Sequence, residues 1–305
     1  MAQKKRKWLI VLFIVLGIFF FMIFLGIVSL FFGVDSTKLP GNVALIEIKG
    51  VIVGDRQRGD FFGTSTSSED VVELIEKAKK NPAIKAVVFE INSPGGSAVA
   101  SDEIGQAIKD LDKISVAWIR EVGASGGYWV ASATDHIIAN RMSITGSIGV
   151  IASYLEFSGL MKDYNVTYQR MVAGKYKDIG SPFKPLSDEE RDLFQERLDV
   201  MRDYFIDEVA SNRNLPRESV DEIATGLFYL GTEAKELGLV DQLGSKKEVI
   251  EYLKEKIGEV PEIVEYKKST SLFDILGEVM SRNSFFVGRG IGSMIFDRNS
   301  FEINT

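Results

Sequence analysis

The sequence predicts an α/β domain built around a mainly parallel sheet and preceded by one N-terminal transmembrane helix. Three observations carry this. Two apolar, strand-like runs, Lys85–Ile91 and Ile114–Ile119, each lead into a glycine-bearing turn and then a helix-like stretch. The second glycine of the first turn, Gly96, and the serine of the second, Ser125, are 29 residues apart, about the 30 residues of one βαβ unit. Finally, Trp8–Phe32 is an almost unbroken apolar run behind Lys4, Lys5, Arg6 and Lys7.

That apolar run is long enough as a helix to span a hydrocarbon core of about 30 Å with some tilt. A cleaved signal peptide needs a shorter apolar core and a small-x-small cleavage site, and G-V-D-S-T-K-L-P-G-N offers neither. The expectation is a retained anchor over 8–32. The basic segment 1–7 holds the N-terminus in the cytoplasm and places everything after the anchor outside it, in a single-pass topology on the cell membrane. Residues 33–42, with Pro40 and Gly41, read as a linker, 43–257 as the body of the domain, and 258–305 as a tail without a legible role. The net charge of −7 gives no footprint for nucleic acid. With no cysteine at all, disulfides, thiolate metal sites and a cysteine nucleophile are excluded.

Within the body, Val43–Val53 is rich in β-branched residues but interrupted at Gly50, suggesting a strand that turns into a second. Val71, Leu74, Ile75 and Ala78 recur at helical spacing after Ser67 and Ser68, and Asn81-Pro82 ends that helix. Ser97–Leu111 reads as the helix after the first glycine turn, with Asp102 and Glu103 in its early turns. His136–Ala139 is a short strand, Thr145–Val150 another glycine-punctuated turn, and Thr167–Val172 a further strand. Ser187 and Glu190 make a capping box before a long helix whose Leu193, Phe194, Leu198, Met201, Phe205 and Val209 trace one face. Shorter helices follow over Pro216–Ala224, Thr232–Leu237 and Ser245–Ile257. In the tail, V-E-Y-K-K suits an edge strand and Leu272–Met280 an amphipathic helix, while Gly288–Gly292 lacks the strand and acid of a dinucleotide loop.

The chemistry centres on G-A-S-G-G, Gly123–Gly127. A serine between a strand and a helix sits on a sharp turn, hydroxyl exposed, with unpaired amides following. The pattern fits a nucleophile elbow, which calls for a histidine base late in the chain. The sole histidine, His136, follows Ser125 by eleven residues, too soon for a separate acid to intervene. A lysine is the remaining base with precedent. It must fall about 3 units from its ordinary ~10.4 to be neutral near pH 7, which desolvation can achieve. Lys175 and Lys177 lie in a loop suited to that, although the residues alone leave them equally open to being solvated.

S-P-G-G, A-S-G-G-Y-W-V-A-S, T-G-S-I-G-V and A-G-K-Y-K-D, in this order, resemble the signal peptide peptidase A family of membrane-anchored serine peptidases, with its Clp-protease/crotonase-like fold of repeated β-β-α units. The resemblance runs from about Val43 to Gly244 and ends in L-G-L-V-D-Q-L-G. It implies Ser125 as nucleophile and Lys177 as general base. It further implies Ser147 as the group orienting that lysine, a residue that on its own reads equally well as a turn serine bonding its own backbone. The backbone N–H groups of Gly96 and Gly126 would form the oxyanion hole. The implied substrates are signal peptides left after cleavage of exported proteins, with no cofactor or metal required. Because the tandem form of the family doubles this domain and this chain holds one copy, a homo-oligomeric ring is expected, in which Ser125 and Lys177 belong to one chain or to neighbours. A Clp-like peptidase of a specific membrane protein and a catalytically silent peptide-binding scaffold are the competing readings.

Overall fold

The long β-branched run after the linker forms the strand on which the sheet is built. The protein is described here by a computed structural model covering residues 13–24, 40–55 and 65–268. Strand β1 is Val43–Val53, β2 Ser65–Ser67, β3 Ala86–Gly96 and β4 Ile114–Ala124. The order β2-β1-β3-β4 continues into β5 (His136–Ala139) and β8 (Gln242–Leu243), every pairing parallel. Val43–Ile46 and Ala86–Ile91 are buried on both faces, as expected of parallel strands covered by helices. The fold is therefore α/β with a mainly parallel sheet. Its antiparallel pairing, among the described residues, joins β6 (Ile144–Gly146) to β7 (Phe228–Leu230). The expected break at Gly50 is instead a bulge: Gly50 adopts φ 72°, the register shifts between Lys49 and Val51, and one strand continues through it.

Helices α2 (Ser68–Lys80), α3 (Ala98–Lys109) and α4 (Gly126–Ser132) cover one face of the sheet. Ser67 caps α2, with acids in its first turn and lysines in its last, so both ends complement the helix dipole. Its Val71, Leu74 and Ile75 are buried, each worth about 1.5–3 kcal/mol relative to exposure. The C-terminal half of α6 (Asp188–Arg213) joins this layer through Phe205, Ile206 and Val209. On the opposite face α9 (Lys246–Ile257) lays Val249 and Leu253 against Val43, Leu45, Val88 and Val116. Helix α7 (Arg217–Ile223) packs on α6, and α8 (Gly231–Glu236) packs on β6, β7 and β8. Strand β9 (Ile263–Glu265) pairs parallel with β1, and the buried Tyr266 accepts a hydrogen bond from Asn81 Nδ2 at 2.9 Å. The packed body therefore continues past Ile257.

Thr167–Val172 is not a strand. Its pattern is apolar enough, but a strand needs a free edge, and β6, the nearest in sequence, already has β4 and β7 as partners. The stretch belongs to an arm over 150–187 whose only helix, α5 (Ser158–Asp163), buries none of its residues. Ile151, Tyr164 and Met171 are 84%, 76% and 91% exposed. The capping box of Ser187 and Glu190 starts α6 as the sequence predicts, yet its stripe is only half buried at Leu193, Phe194 and Leu198, and Met201 is exposed. Three carboxylates tie this region together. Asp178 is held by Nε and Nη2 of Arg170 at 2.6 and 2.9 Å, Glu189 by Lys175 at 2.6 Å and Glu190 by Lys184 at 2.5 Å. Each base keeps its partner acid below the usual carboxylate range. A depressed folded-state pKa contributes stability that is present above the unfolded value of about 4 and lost as pH falls through the folded one. Residues 150–187 are therefore expected to lose amide-exchange protection before the sheet does as pH falls below about 4, after correction for intrinsic exchange; simultaneous loss would contradict this.

Helix α1 (residues 13–24) carries exposed apolar side chains such as Phe13 and Met22. Among the described residues no helix is long and apolar enough to cross a membrane. The rest of the Trp8–Phe32 run lies outside the described residues, as do 1–7, most of the linker, the helix expected at Leu272–Met280 and the Gly288–Gly292 turn.

Candidate active site

Strands β3 and β4 pair in parallel and end at the same edge, so their two glycine turns meet there. Ser125 leaves β4 with φ 51° and ψ −125°, a conformation that costs a non-glycine residue about 1–3 kcal/mol and must be held by its surroundings. Here the Ser125 N–H donates to Gly146 C=O at 2.8 Å, while its carbonyl accepts from Tyr128 and Trp129 at 2.8 and 2.9 Å, starting α4. The side chain is half-buried, caps nothing and makes no hydrogen bond among the described residues.

The first turn lies directly against it. A Cβ on Gly95 would meet Gly126 N at 2.5 Å and Ser125 Cβ at 2.9 Å, and one on Gly126 would meet Gly96 N at 3.3 Å and Ser101 Oγ at 2.3 Å. The backbone nitrogens of Gly96 and Gly126 thus sit side by side next to Ser125, the placement two oxyanion donors require. Any side chain at Gly96 would enter β1, since its Cβ would fall 2.1 Å from Ile52 O. Gly96→Ala is expected to cost about 3 kcal/mol in chemical denaturation and to remove activity; an unchanged midpoint would mean that β1 can move aside.

The third glycine turn brings up Ser147. β6 pairs in parallel with the end of β4, matching Ala124 to Gly146, so Ser125 and Ser147 emerge as neighbours, each with φ 51°. Ser147 Oγ donates to Gly226 C=O at 3.2 Å, and no lysine is bonded to it among the described residues.

Lys177 is not brought to this group. It lies exposed on the arm, its amide donates to Gly174 C=O at 3.2 Å, and its side chain makes no hydrogen bond or ion pair among the described residues. Its turn carries two more charged side chains, both engaged: Asp178 by Arg170 and Lys175 by Glu189. The Glu189 hydrogen bond holds Lys175 well above the ordinary lysine value, the opposite of what a base needs. His136 is no alternative. It opens β5 opposite Val116, nine residues down β4 from Ser125, roughly 30 Å along an extended strand. There it stacks on Tyr252 at 4.0 Å.

Beside Ser125, Gly96 and Gly126 opens a cavity of about 600 Å³ whose apolar wall is built by Val99, Trp129, Val150, Ile151, Met201 and Phe205. Trp129 and Phe205 pack with ring centroids 4.7 Å apart. The sequence reading did not identify this wall. Its only local signal was the Tyr128-Trp129 pair after the serine; the rest comes from α3, the arm and α6, far apart in the chain. Among the described residues no group of acids and histidines is arranged to hold a metal ion.

Residues 107–259 match peptidase family S49. The chain is 33% identical to a putative signal peptide peptidase SppA of Enterococcus faecium, over 81% of this chain and 76% of that one. It is likewise 33% identical to a putative protease of Methanocaldococcus jannaschii, over 84% and 83%. Protease 4 of Haemophilus influenzae is 32% identical over 71% of this chain, which spans 35% of that longer protein. A solved ClpP1 mutant from Listeria monocytogenes aligns with 67% of this chain and 92% of its own, at 16% identity and a TM-score of 0.45. By the family match and its sequence relatives, the chain belongs to peptidase family S49, the signal peptide peptidase A family, and is a serine peptidase.

Proposed function

We propose that this protein is a membrane-anchored endopeptidase that degrades signal peptides left after cleavage of exported proteins, using Ser125 and Lys177 as a dyad on a Clp-protease/crotonase-like fold. The observation that carries it is the Ser125 turn: a strained serine with a free hydroxyl, two glycine amides alongside it, and no histidine near. Neutral Lys177 accepts the Ser125 proton as Oγ attacks a peptide carbonyl, and the oxyanion is held by Gly96 and Gly126 N–H. The protonated lysine then gives its proton to the leaving amine. Water, deprotonated in turn by Lys177, releases the acyl group and regenerates the serine. Ser147, next to Ser125, orients the lysine when it arrives.

The lysine arrives from a neighbouring copy. In the single chain Lys177 faces solvent on an arm studded with exposed apolar residues, a surface that calls for a partner. Docking the arm against the next subunit of a homo-oligomeric ring buries those residues, carries Lys177 to a Ser125 cavity and supplies the desolvation a lysine base requires. Residues 8–32 anchor the ring, with the active sites outside the cytoplasm, where spent apolar segments remain in the membrane.

The reading is tested by reconstituting the full chain in vesicles with synthetic signal peptides and with folded membrane proteins. The peptides are expected to be cleaved and the folded proteins spared; the reverse preference would favour a peptidase dedicated to a specific membrane protein.

A further inference from the structure

We infer that Asp102 makes the Ser125 cavity selective for apolar peptide segments in which a lysine or arginine lies within about two residues of the scissile bond. The inference rests on Ser125 being the nucleophile at this cavity. Three carboxylates line the cavity: Asp102, Asp207 and Glu208. Two are neutralised within the chain, Asp207 by Arg217 Nε at 2.7 Å and Glu208 by Lys109 Nζ at 2.7 Å. Asp102 receives only the Gln106 amide at 3.3 Å and has no cation partner among the described residues. It is half-buried, so its charge is less screened than that of a fully exposed carboxylate, and an incoming cation gains correspondingly more.

The position of Asp102 sets where that cation must be. α3 begins at Ala98, directly after the Gly96 turn and its Ser97 cap. Asp102 is four residues into the helix, about 6 Å along its axis. An extended substrate advances about 3.3 Å per residue, so a residue about two positions from the carbonyl held at Gly96 lies a comparable distance from that carbonyl. A long basic side chain suits it, because the methylene stem can cross the apolar wall while the charged head reaches the carboxylate. The other side chains of the substrate meet Trp129, Phe205 and Val99. The preferred segment is therefore the junction between basic and apolar residues, a composition found where the charged start of an export signal meets its apolar core.

The test uses a series of internally quenched peptides that share one apolar segment and carry Arg, Gln or Glu at each of the two positions on either side of the scissile bond. With the full-length wild-type enzyme in detergent at low salt, kcat/KM at one of these positions is expected to favour Arg over Glu by about tenfold or more, with the ratio shrinking in high salt. Asp102→Asn should bring the ratio close to one, chiefly by lowering kcat/KM for the Arg peptide, and Asp102→Lys should invert it. Three results would overturn the proposal: a wild-type enzyme indifferent to charge, an Asp102→Asn enzyme that keeps the preference, or a loss shared equally by all peptides. Ser125→Ala in parallel separates the two levels of the argument. Cleavage surviving that substitution would remove the nucleophile assignment and this inference with it, whereas abolished cleavage with an unchanged charge ratio in Asp102→Asn would remove this inference alone.

Discussion

Ser125→Ala is expected to lower kcat/KM by at least about four orders of magnitude, the loss seen when a covalent nucleophile is removed from a serine peptidase. Stability should change little, because the fold holds this residue through its backbone. Its N–H and C=O make the turn with Gly146, Tyr128 and Trp129, and its hydroxyl is bonded to nothing among the described residues. Alanine retains the same backbone bonds. It also faces about the same cost of a positive φ as serine does. The expected result is a folded, peptide-binding, inert chain. Activity within tenfold of wild type would place the nucleophile elsewhere, and a large fall in denaturation midpoint would recast Ser125 as a structural residue.

The second large effect concerns Lys177. Lys177→Ala alone should be as inert as Ser125→Ala, and Lys177→Arg should be inert too, since a guanidinium cannot give up its proton at working pH. The informative experiment mixes the two inactive chains. If serine and lysine meet between neighbours, random co-assembly of equal amounts pairs an intact serine with an intact lysine at about a quarter of the interfaces, and activity should recover towards that fraction. If both act within one chain, no interface carries the pair and the mixture stays inert. The exposed side chain of Lys177, without a partner among the described residues, and its absence from the lining of the Ser125 cavity favour recovery.

These expectations show where the sequence was legible. Strand, glycine turn and helix are local signals: an apolar run, residues without a Cβ, then a periodic stretch. The turns of Gly96 and Ser125 meet at one sheet edge, because parallel pairing of successive strand–turn–helix units puts equivalent turns side by side; Ser147 was singled out by the family resemblance, and its turn reaches the same edge through β6. Thr167–Val172 misled because apolar alternation describes a strand's faces and is silent on whether an edge is free to pair. The stripe on α6 misled in a related way. Its periodicity marked Leu193 to Val209 as one apolar face, but only the half near Phe205 is covered within the chain. Asp102 read as a helix-dipole residue because nothing local reveals that Arg217 and Lys109 neutralise its neighbours in the cavity. Lys177 was singled out by a motif, and no local pattern encodes its separation from Ser125 in the single chain.

The central claim is that Ser125 is made nucleophilic by a deprotonated Lys177. It is tested most directly by the rate at which a serine-directed fluorophosphonate labels the full-length protein, followed across pH and mapped by mass spectrometry. The label should appear on Ser125, with a rate that rises through a single ionisation and falls to background in Lys177→Arg at every pH. Labelling of a different serine, or an arginine variant labelled at the wild-type rate, would contradict the account.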